Sequence, residues 1–442
     1  MSLAMPSIVG ALACQKNSFL KTLQTVVMSC KEYEALSPSK EKQGKKNAQA
    51  KEKLYAVEFK DTVLFPEGGG QPSDTGAIIL PNETAIEVQQ VLRQGLKAVH
   101  VVPQPVEIGT NVTLKVDWDR RIDIMQQHTG QHLISAVFDT YDLETLSWSM
   151  GDMINYIELP KKVDDDILEE VSQKVNDLIL QAIPITVTTP DEHGGEIDTS
   201  HIPDDYDLSK GIIRIVKIGD LDANPCCGTH LTSTSQVQGV SFLHQANIRG
   251  GHSRLHFVCG SRVSKLLTSY HKILKDTSGS SLSCSIEEVS QKVSDLNMNY
   301  KKSQSRESSL LKELAKIRAD EVFNIFKNKT ATLATEYRSD NSAEYLTLFQ
   351  KELLTLINGN KDSGVNLTDS CTIVLINGDY KSGTGGMVKI MGPRAEEIQG
   401  ELKKLLSNLK GGGKGASFQG KITRYEKGEL ESVLRYLESE SN

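Results

Sequence analysis

Aromatic side chains are scarce in this 442-residue chain, about 5% of positions with only two Trp. No window offers the roughly 18 uninterrupted apolar residues that a membrane helix needs, so no membrane partner is expected. Positive charge is not in excess. Lys and Arg number 50 against 57 Asp and Glu, and the net charge of −7 excludes a globally cationic nucleic-acid binder while leaving room for a local basic patch. Cysteines number seven, odd and scattered from Cys14 to Cys371, which is no disulfide framework and fits a reducing, cytoplasmic compartment. No Lys or Arg precedes Lys16, so the apolar start lacks the positive n-region of a secretory signal. What remains is the balance of a globular protein of two or three domains.

The pattern predicts an α+β protein in four parts. Residues 1–116 carry short strand-like runs, such as 76–80, 98–103 and 111–116, divided by Gly, Pro and Asn turns; they predict a small N-terminal β-barrel with a Lys-rich surface loop at 38–53. From Asp119, a plausible N-cap, apolar residues recur at helical spacing to Tyr141, and again over 165–182. With strands between, they predict a central α+β domain over 117–265. A stripe of Ile286, Val289, Val293, Leu296 and Tyr300 returns at Leu310, Leu314 and Ile317. Residues 286–322 therefore look like a long helix, and the interruption at Ser303 and Glu307 favours a helical hairpin or short spacer (266–330) over a long continuous coiled coil. A C-terminal α/β domain with two glycine-rich loops fills 331–442.

Three motifs carry chemistry. His128-Thr129-Gly130-Gln131-His132 lies on a predicted helix, where an i, i+4 pair brings both imidazoles to one face and to one metal ion. The zincin protease motif needs Glu after the first His, and Thr129 stands there, so a metalloprotease would lack its base. Cys226-Cys227-Gly228-Thr229-His230 supplies a second pair four apart, with Gly228 permitting a tight backbone and Cys227 a possible substitute for Cys226. A His–His pair and a Cys–His pair from distant segments favour one zinc ion. Third, Phe65-Pro66-Glu67-Gly68-Gly69-Gly70-Gln71-Pro72 follows a strand, as an ordinary hairpin turn or a shaped binding loop.

HTGQH and CCGTH, in this order and spacing, resemble the metal motifs of the alanyl-tRNA synthetase editing domain. FPEGGGQP with Asp74 and Gly76 is similar to the glycine-rich motif of that family's barrel. Threonyl-tRNA synthetase editing domains share the His/Cys pattern, and the GGGQP loop favours the alanyl branch. The best likeness is to the long, freestanding AlaX-like alanyl-tRNA editing proteins. The family usually has Gly where Cys227 stands. The resemblance implies zinc held by His128, His132, Cys226 and His230, a substrate-binding loop of Gly68, Gly69, Gly70 and Gln71, and hydrolysis of the ester joining a wrong amino acid to tRNA.

Zinc could act as water donor or Lewis acid, or, with all four ligands bound, hold the site's shape. The hydroxyl of Thr129, between the helix ligands, could bond a serine side chain and so reject alanine, or could serve only a backbone bond. Mischarged tRNA(Ala) is therefore the expected partner, seryl first and glycyl second. An inactive, zinc-stabilised tRNA-binding or chaperone-type module is the competing reading. No acidic residue occurs from Leu402 to Tyr425, and Lys403, Lys404, Lys410, Lys414, Lys421 and Arg424 there are candidate tRNA contacts. Neither glycine-rich loop closes with Gly-Lys-Ser/Thr. The chain also leaves no room for an aminoacylation core, so no ATP site is expected.

Overall fold

The computed structural model describes residues 6–33, 53–188, 212, 214–340, 342–379 and 382–441. The Lys-rich stretch 38–53 lies outside them except for Lys53. The chain divides into two compact units, Met1–Lys275 and Asp276–Asn442. Among the described residues no helix is long and apolar enough to cross a membrane.

In the first unit, strands β1 (Thr22–Tyr33), β2 (Leu54–Phe59), β3 (Gly76–Ile79), β4 (Ala85–Val88), β5 (Gln90–Gln94), β6 (Lys97–Val102) and β7 (Asn111–Val116) form one antiparallel sheet ordered β4-β3-β7-β1-β2-β6-β5. The sheet wraps a core of Val57, Leu64, Ile78, Val88, Val91, Val102 and Leu114. It does not close into the barrel expected from the sequence. β4 and β5 are its two edges, joined only through Gln89, so the strands curl around the core without a ladder between the edges.

A buried helix α1 (Trp118–Asp139) follows, capped by Asp117, whose carboxylate accepts the Arg120 N–H at 3.3 Å. Asp119, expected as the cap, sits in the first turn, where a carboxylate still complements the helix dipole. α1 and α2 (Asp165–Leu180) pack on one face of a four-stranded antiparallel sheet made of β8 (Ser147–Ser149), β9 (Asn155–Leu159), β13 (Val240–Asn247) and β14 (Ser253–Cys259), ordered β13-β14-β9-β8. Gly130 of α1 permits this approach: a Cβ there would lie 2.4 Å from Cys259 Sγ. A smaller sheet of β10 (Ile185–Thr188), β11 (Ile215–Ile218) and β12 (Asp222–Pro225) delivers the chain to the cysteine loop. Helix α3 (Ser261–Asp276) ends the unit's regular structure.

The second unit's regular structure includes α4 (Val289–Lys327), one unbroken helix of 39 residues, the long helix read over 286–322 and not a hairpin. Ser303 and Glu307 interrupt the apolar stripe, not the backbone, and both residues are tolerated on an exposed helix face. Then come β15 (Leu333–Arg338), α5 (Ala343–Gly359), β16 (Thr372–Asn377), β17 (Thr384–Met391), α6 (Ala395–Leu405), β18 (Leu409–Gly413), β19 (Ser417–Arg424) and α7 (Glu429–Ser441). The five strands form a sheet ordered β15-β16-β17-β19-β18, with only β15 and β16 parallel. β16 is buried on both faces, which explains its unbroken run Thr-Ile-Val-Leu-Ile-Asn. Val374 and Ile376 meet α6 and α7, while Ile373 and Leu375 meet α4 and α5. The two glycine-rich "loops" are mainly strand: Gly385 and Gly386 lie in β17, and Gly411, Gly412 and Gly413 in β18. A Cβ on Gly411 would come within 2.4 Å of the β19 backbone, so these glycines let the strands approach.

Candidate metal centre

The i, i+4 spacing on α1 places His128 and His132 side by side, their ring centroids 5.2 Å apart. The loop after β12 brings Cys226 and His230 to the same point. The four ligand atoms all lie within 4.8 Å of one another, with Cys226 Sγ 3.4 Å from His128 Nε2 and 3.1 Å from His230 Nε2. A tetrahedral zinc ion with N and S ligands needs donors about 3.5 Å apart, so the set fits one ion. Cys227 is not part of the cluster; its carbonyl accepts the Gln15 side chain at 2.7 Å.

Burial tunes the donors. It pushes His132 down to about 4 and His128 and His230 well below the usual histidine range, so all three rings are neutral, as ligands must be. Burial pushes the Cys226 thiol up to about 12, so a thiolate here needs the charge of a cation beside it.

A second layer fixes each ligand. Gln71 of the glycine-rich loop is buried at 2% exposure, and its Oε1 accepts the Thr229 N–H at 3.0 Å. That oxygen is also 2.7 Å from His128 Nδ1, which must therefore be the protonated nitrogen, leaving Nε2 free to ligate. Gln71 Nε2 donates to Thr229 Oγ1 at 2.9 Å. The Asp222 carboxylate lies 4.0 Å from His132 Nδ1. The cysteine loop is gripped by buried Arg214, which donates to the carbonyls of Gly228 (2.8 Å), Cys226 (3.2 Å) and Gln15 (2.6 Å). Ser18 Oγ accepts the His230 N–H at 3.3 Å. Gly228 is required by crowding, since a Cβ there would sit 2.3 Å from His128 Cε1.

The glycine-rich loop is a tight turn, Gly68 pairing with Gln71 and both Gly69 and Gly70 at positive φ. Gly70 lies flat against the indole of Trp148, where a Cβ would be 2.8 Å from the ring. Trp148 in turn stacks on His128, centroids 4.9 Å apart at 24°. Thr129 is fully buried; its hydroxyl accepts the Leu231 N–H at 3.1 Å and lies 3.4 Å from His230 Nδ1. Asp74, just beyond the loop, forms a buried ion pair with Arg121 of α1 and accepts the Phe65 N–H.

Comparisons with known proteins bear on the family. The sequence profile described as "Threonyl and Alanyl tRNA synthetase second additional domain" matches residues 213–256, which include the cysteine loop. The chain is 39% identical over 466 residues to a Saccharomyces cerevisiae protein, alaX, whose name ties it to alanyl-tRNA editing, with 98% of this chain and 97% of that one aligned. It is 32% identical over 448 residues to the alanyl-tRNA editing protein Aarsd1 of Mus musculus, covering 98% and 99%. The chain belongs to the alanyl-tRNA editing protein family. Within that family, AlaX-L of Pyrococcus horikoshii is 35% identical over 223 residues, 50% of this chain and 54% of its own.

The basic residues are divided by the sheet of the second unit. Lys410 and Lys421 are cross-strand partners that line a groove of about 670 Å³ with Asn377, Gly385, Gly386 and Gln419. Lys403 and Lys404 belong to α6 over the other face; Lys403 lies above the Phe418 ring and Lys404 pairs with Glu401 at 2.6 Å. Arg424 pairs with Glu426 at 3.1 Å, and Lys414 stands in the β18–β19 hairpin. Sequence reasoning missed Arg214, Gln15, Ser18 and Trp148. Each acts across 12 or more residues of chain, so no local spacing announces it.

Proposed function

We propose that the protein is a trans-editing hydrolase that removes a wrongly attached amino acid from tRNA(Ala), seryl-tRNA(Ala) foremost and glycyl-tRNA(Ala) second. The observation that carries the reading is the convergence of His128, His132, Cys226 and His230 within 4.8 Å, inside a chain that aligns along its length with alanyl-tRNA editing proteins. These four residues would hold one zinc ion. Bound there, zinc would supply positive charge to orient or polarise the ester.

The chain's own residues do the rest. Gln71 holds the His128 ring at fixed tautomer and angle, and Arg214 locks the loop that carries Cys226 and His230. Thr129 Oγ1, buried between the helix ligands, receives the Leu231 N–H and lies 3.4 Å from His230 Nδ1, and its hydroxyl would donate to a serine side chain where the bound substrate opens this position. Alanine offers no such acceptor and would leave a polar group unpaired, which discriminates better than a methyl-sized pocket can. The Lys410–Lys421 face, with Lys403, Lys404, Lys414 and Arg424, would contact tRNA phosphates. The domain division proposed from the sequence, 1–116, 117–265, 266–330 and 331–442, assigns tRNA recognition to the last part.

The test is deacylation of seryl-, glycyl- and correctly charged alanyl-tRNA(Ala), with metal content measured on the same samples. Wild type should release serine and spare alanine. Cys226→Ala should lose metal and activity, and Thr129→Val should keep metal while its serine-over-alanine preference falls. No turnover by metal-loaded wild type would refute the hydrolase reading in favour of a tRNA-binding module.

A further inference from the structure

The four-stranded sheet of the first unit has a second face. α1 and α2 cover the side that carries Ile157, Leu159, Leu255 and Phe257, and strand alternation sends Tyr156, Glu158, Arg254 and His256 to the other side. His244 joins them from β13, where a bulge between Phe242 and Gln245 sets it beside His256. The solvent side of an antiparallel sheet ordinarily needs only polar groups. Here it carries a row of planes, in a chain whose aromatics are scarce. The His244 and His256 rings stack with centroids 4.2 Å apart at 11°, the Tyr156 ring follows 5.9 Å from His256, and the Arg254 guanidinium lies 4.5 Å over that ring. His244 is exposed and the other three are half-buried.

The planes are held in place. His256 Nδ1 donates to the His244 carbonyl at 3.3 Å, while Glu158 accepts from Arg254 Nε at 3.4 Å and lies 3.1 Å from His252 Nδ1. The Glu158 side chain is 15% exposed and that of Arg254 39%, so the cation, not the acid, faces outward. Burial and the neighbouring His244 push the His256 ring below the usual histidine range, so the two rings meet without charge repulsion.

The row also has a position relative to the metal centre. β8 is an edge of this sheet, and its Trp148 points to the covered side, where it stacks on His128. The flanking Ser147 and Ser149 point the opposite way and pair with Glu158 and Tyr156. From that edge the row runs inward over β9, β14 and β13, at about 5 Å per strand. We propose that this row is a stacking platform for unpaired nucleotides, which takes the bases next to the tRNA 3′ terminus when the terminal aminoacyl ester reaches the metal centre, the RNA strand passing around the β8 edge. The proposal rests on the reading that tRNA is the partner. Unpaired bases stack on aromatic rings and on Arg planes, which is what the row offers. A paired stem presents phosphates instead, and two neutral imidazoles and a Tyr hold those weakly. A protein ligand is disfavoured because the row is made of planar polar rings and one cation.

The test measures, by fluorescence anisotropy, binding of the full chain to an uncharged tRNA(Ala) transcript and to the same transcript without its unpaired 3′ nucleotides. Removing those nucleotides should weaken wild type by about 10-fold, the scale of a stacked base. His244→Ser and Arg254→Thr leave the covered face of the sheet untouched. Each should weaken the complete transcript by about as much and barely change the truncated one. His244→Phe keeps the plane and should bind as wild type does. Arg254→Lys keeps only the charge and should stay well short of wild type. Circular dichroism and metal content should match wild type throughout. Equal losses on both transcripts, no loss on either, or full binding by Arg254→Lys overturns the proposal. Deacylation of seryl-tRNA(Ala) is followed on the same samples, where platform variants should act on KM more than on kcat. Turnover without the difference between transcripts removes the platform and keeps the editing reading; the difference without turnover does the reverse.

Discussion

Replacing Gln71 with Leu isolates the second layer of the metal centre from its ligands. The wild-type amide accepts from His128 Nδ1 (2.7 Å) and the Thr229 N–H (3.0 Å), and donates to Thr229 Oγ1 (2.9 Å). Leucine is close in volume and leaves two buried N–H donors without an acceptor. At about 1–3 kcal/mol for each such group, the loss of folding stability comes to about 2–6 kcal/mol. His128 also loses the partner that holds its tautomer, and removing such a partner weakens metal affinity by about 10–100-fold. Gln71→Glu separates the two effects from simple disruption. Its carboxylate still accepts from both N–H groups, and the Thr229 hydroxyl can turn to donate, so Glu should keep near wild-type zinc affinity. Competition against a chromophoric chelator measures the affinity, and denaturant unfolding of the metal-free protein measures the stability. A folded Gln71→Leu protein that holds zinc as tightly as wild type would refute the argument, as would a Glu variant as weak as Leu.

Three further outcomes follow from the same geometry. Gly70→Ala forces a side chain into the Trp148 indole at positive φ, with a strain of about 1–3 kcal/mol; in a Trp118→Phe background the remaining tryptophan emission should shift red as Trp148 leaves His128, and an unmoved spectrum would contradict the packing. Asp74→Ala leaves Arg121, which is 0% exposed, with an uncompensated charge and should cost about 3–5 kcal/mol in denaturant unfolding, whereas a cost below about 1 kcal/mol would deny the ion pair its role. His100, buried with Thr62 Oγ1 at 2.8 Å and the Val57 carbonyl at 3.1 Å, is pushed down to about 4 by burial. The unfolded chain therefore binds a proton that the fold refuses. This contribution is complete above pH 6.5 and is lost as pH falls towards 4, up to about 3 kcal/mol. His100→Asn should flatten that acid limb relative to wild type, and parallel curves for the two proteins would rule it out.

Much of the metal centre was legible because its ligands come in local pairs. Four-residue spacing on a helix, and a cysteine and histidine bracketing a glycine, fix the geometry within each pair whatever the rest of the chain does. The run of β16 was legible for the same reason, since burial on both faces writes itself as uninterrupted apolar sequence. What failed depended on distance. Strand order decides whether a sheet closes, and nothing local records that β4 and β5 end up as edges. The glycines of β17 and β18 read as loops because glycine is depleted in strands, yet here close backbone approach demands them. In α4 the helical periodicity over 286–322 is legible, and Ser303 and Glu307 bear on what the exposed face can meet, not on whether the helix forms.

Gln71 shows why the glycine-rich motif and the His/Cys motifs occur in one chain. From the sequence, GGGQP reads as an ordinary hairpin turn or a shaped binding loop. In the structure its last polar residue reaches behind the ligands, and the turn made by Gly69 and Gly70 delivers Gln71 to His128 and Thr229 together. Gln15 and Ser18, also N-terminal, hold the cysteine loop from its other side. The profile match over 213–256 contains Cys226 and His230 but none of these residues, and neither helix ligand. The His/Cys cluster is therefore a joint construction of the curled sheet, the buried helix and the loop. In such an arrangement a substitution in the N-terminal sheet reads out as a change in metal affinity, although no atom of that sheet is among the four ligands.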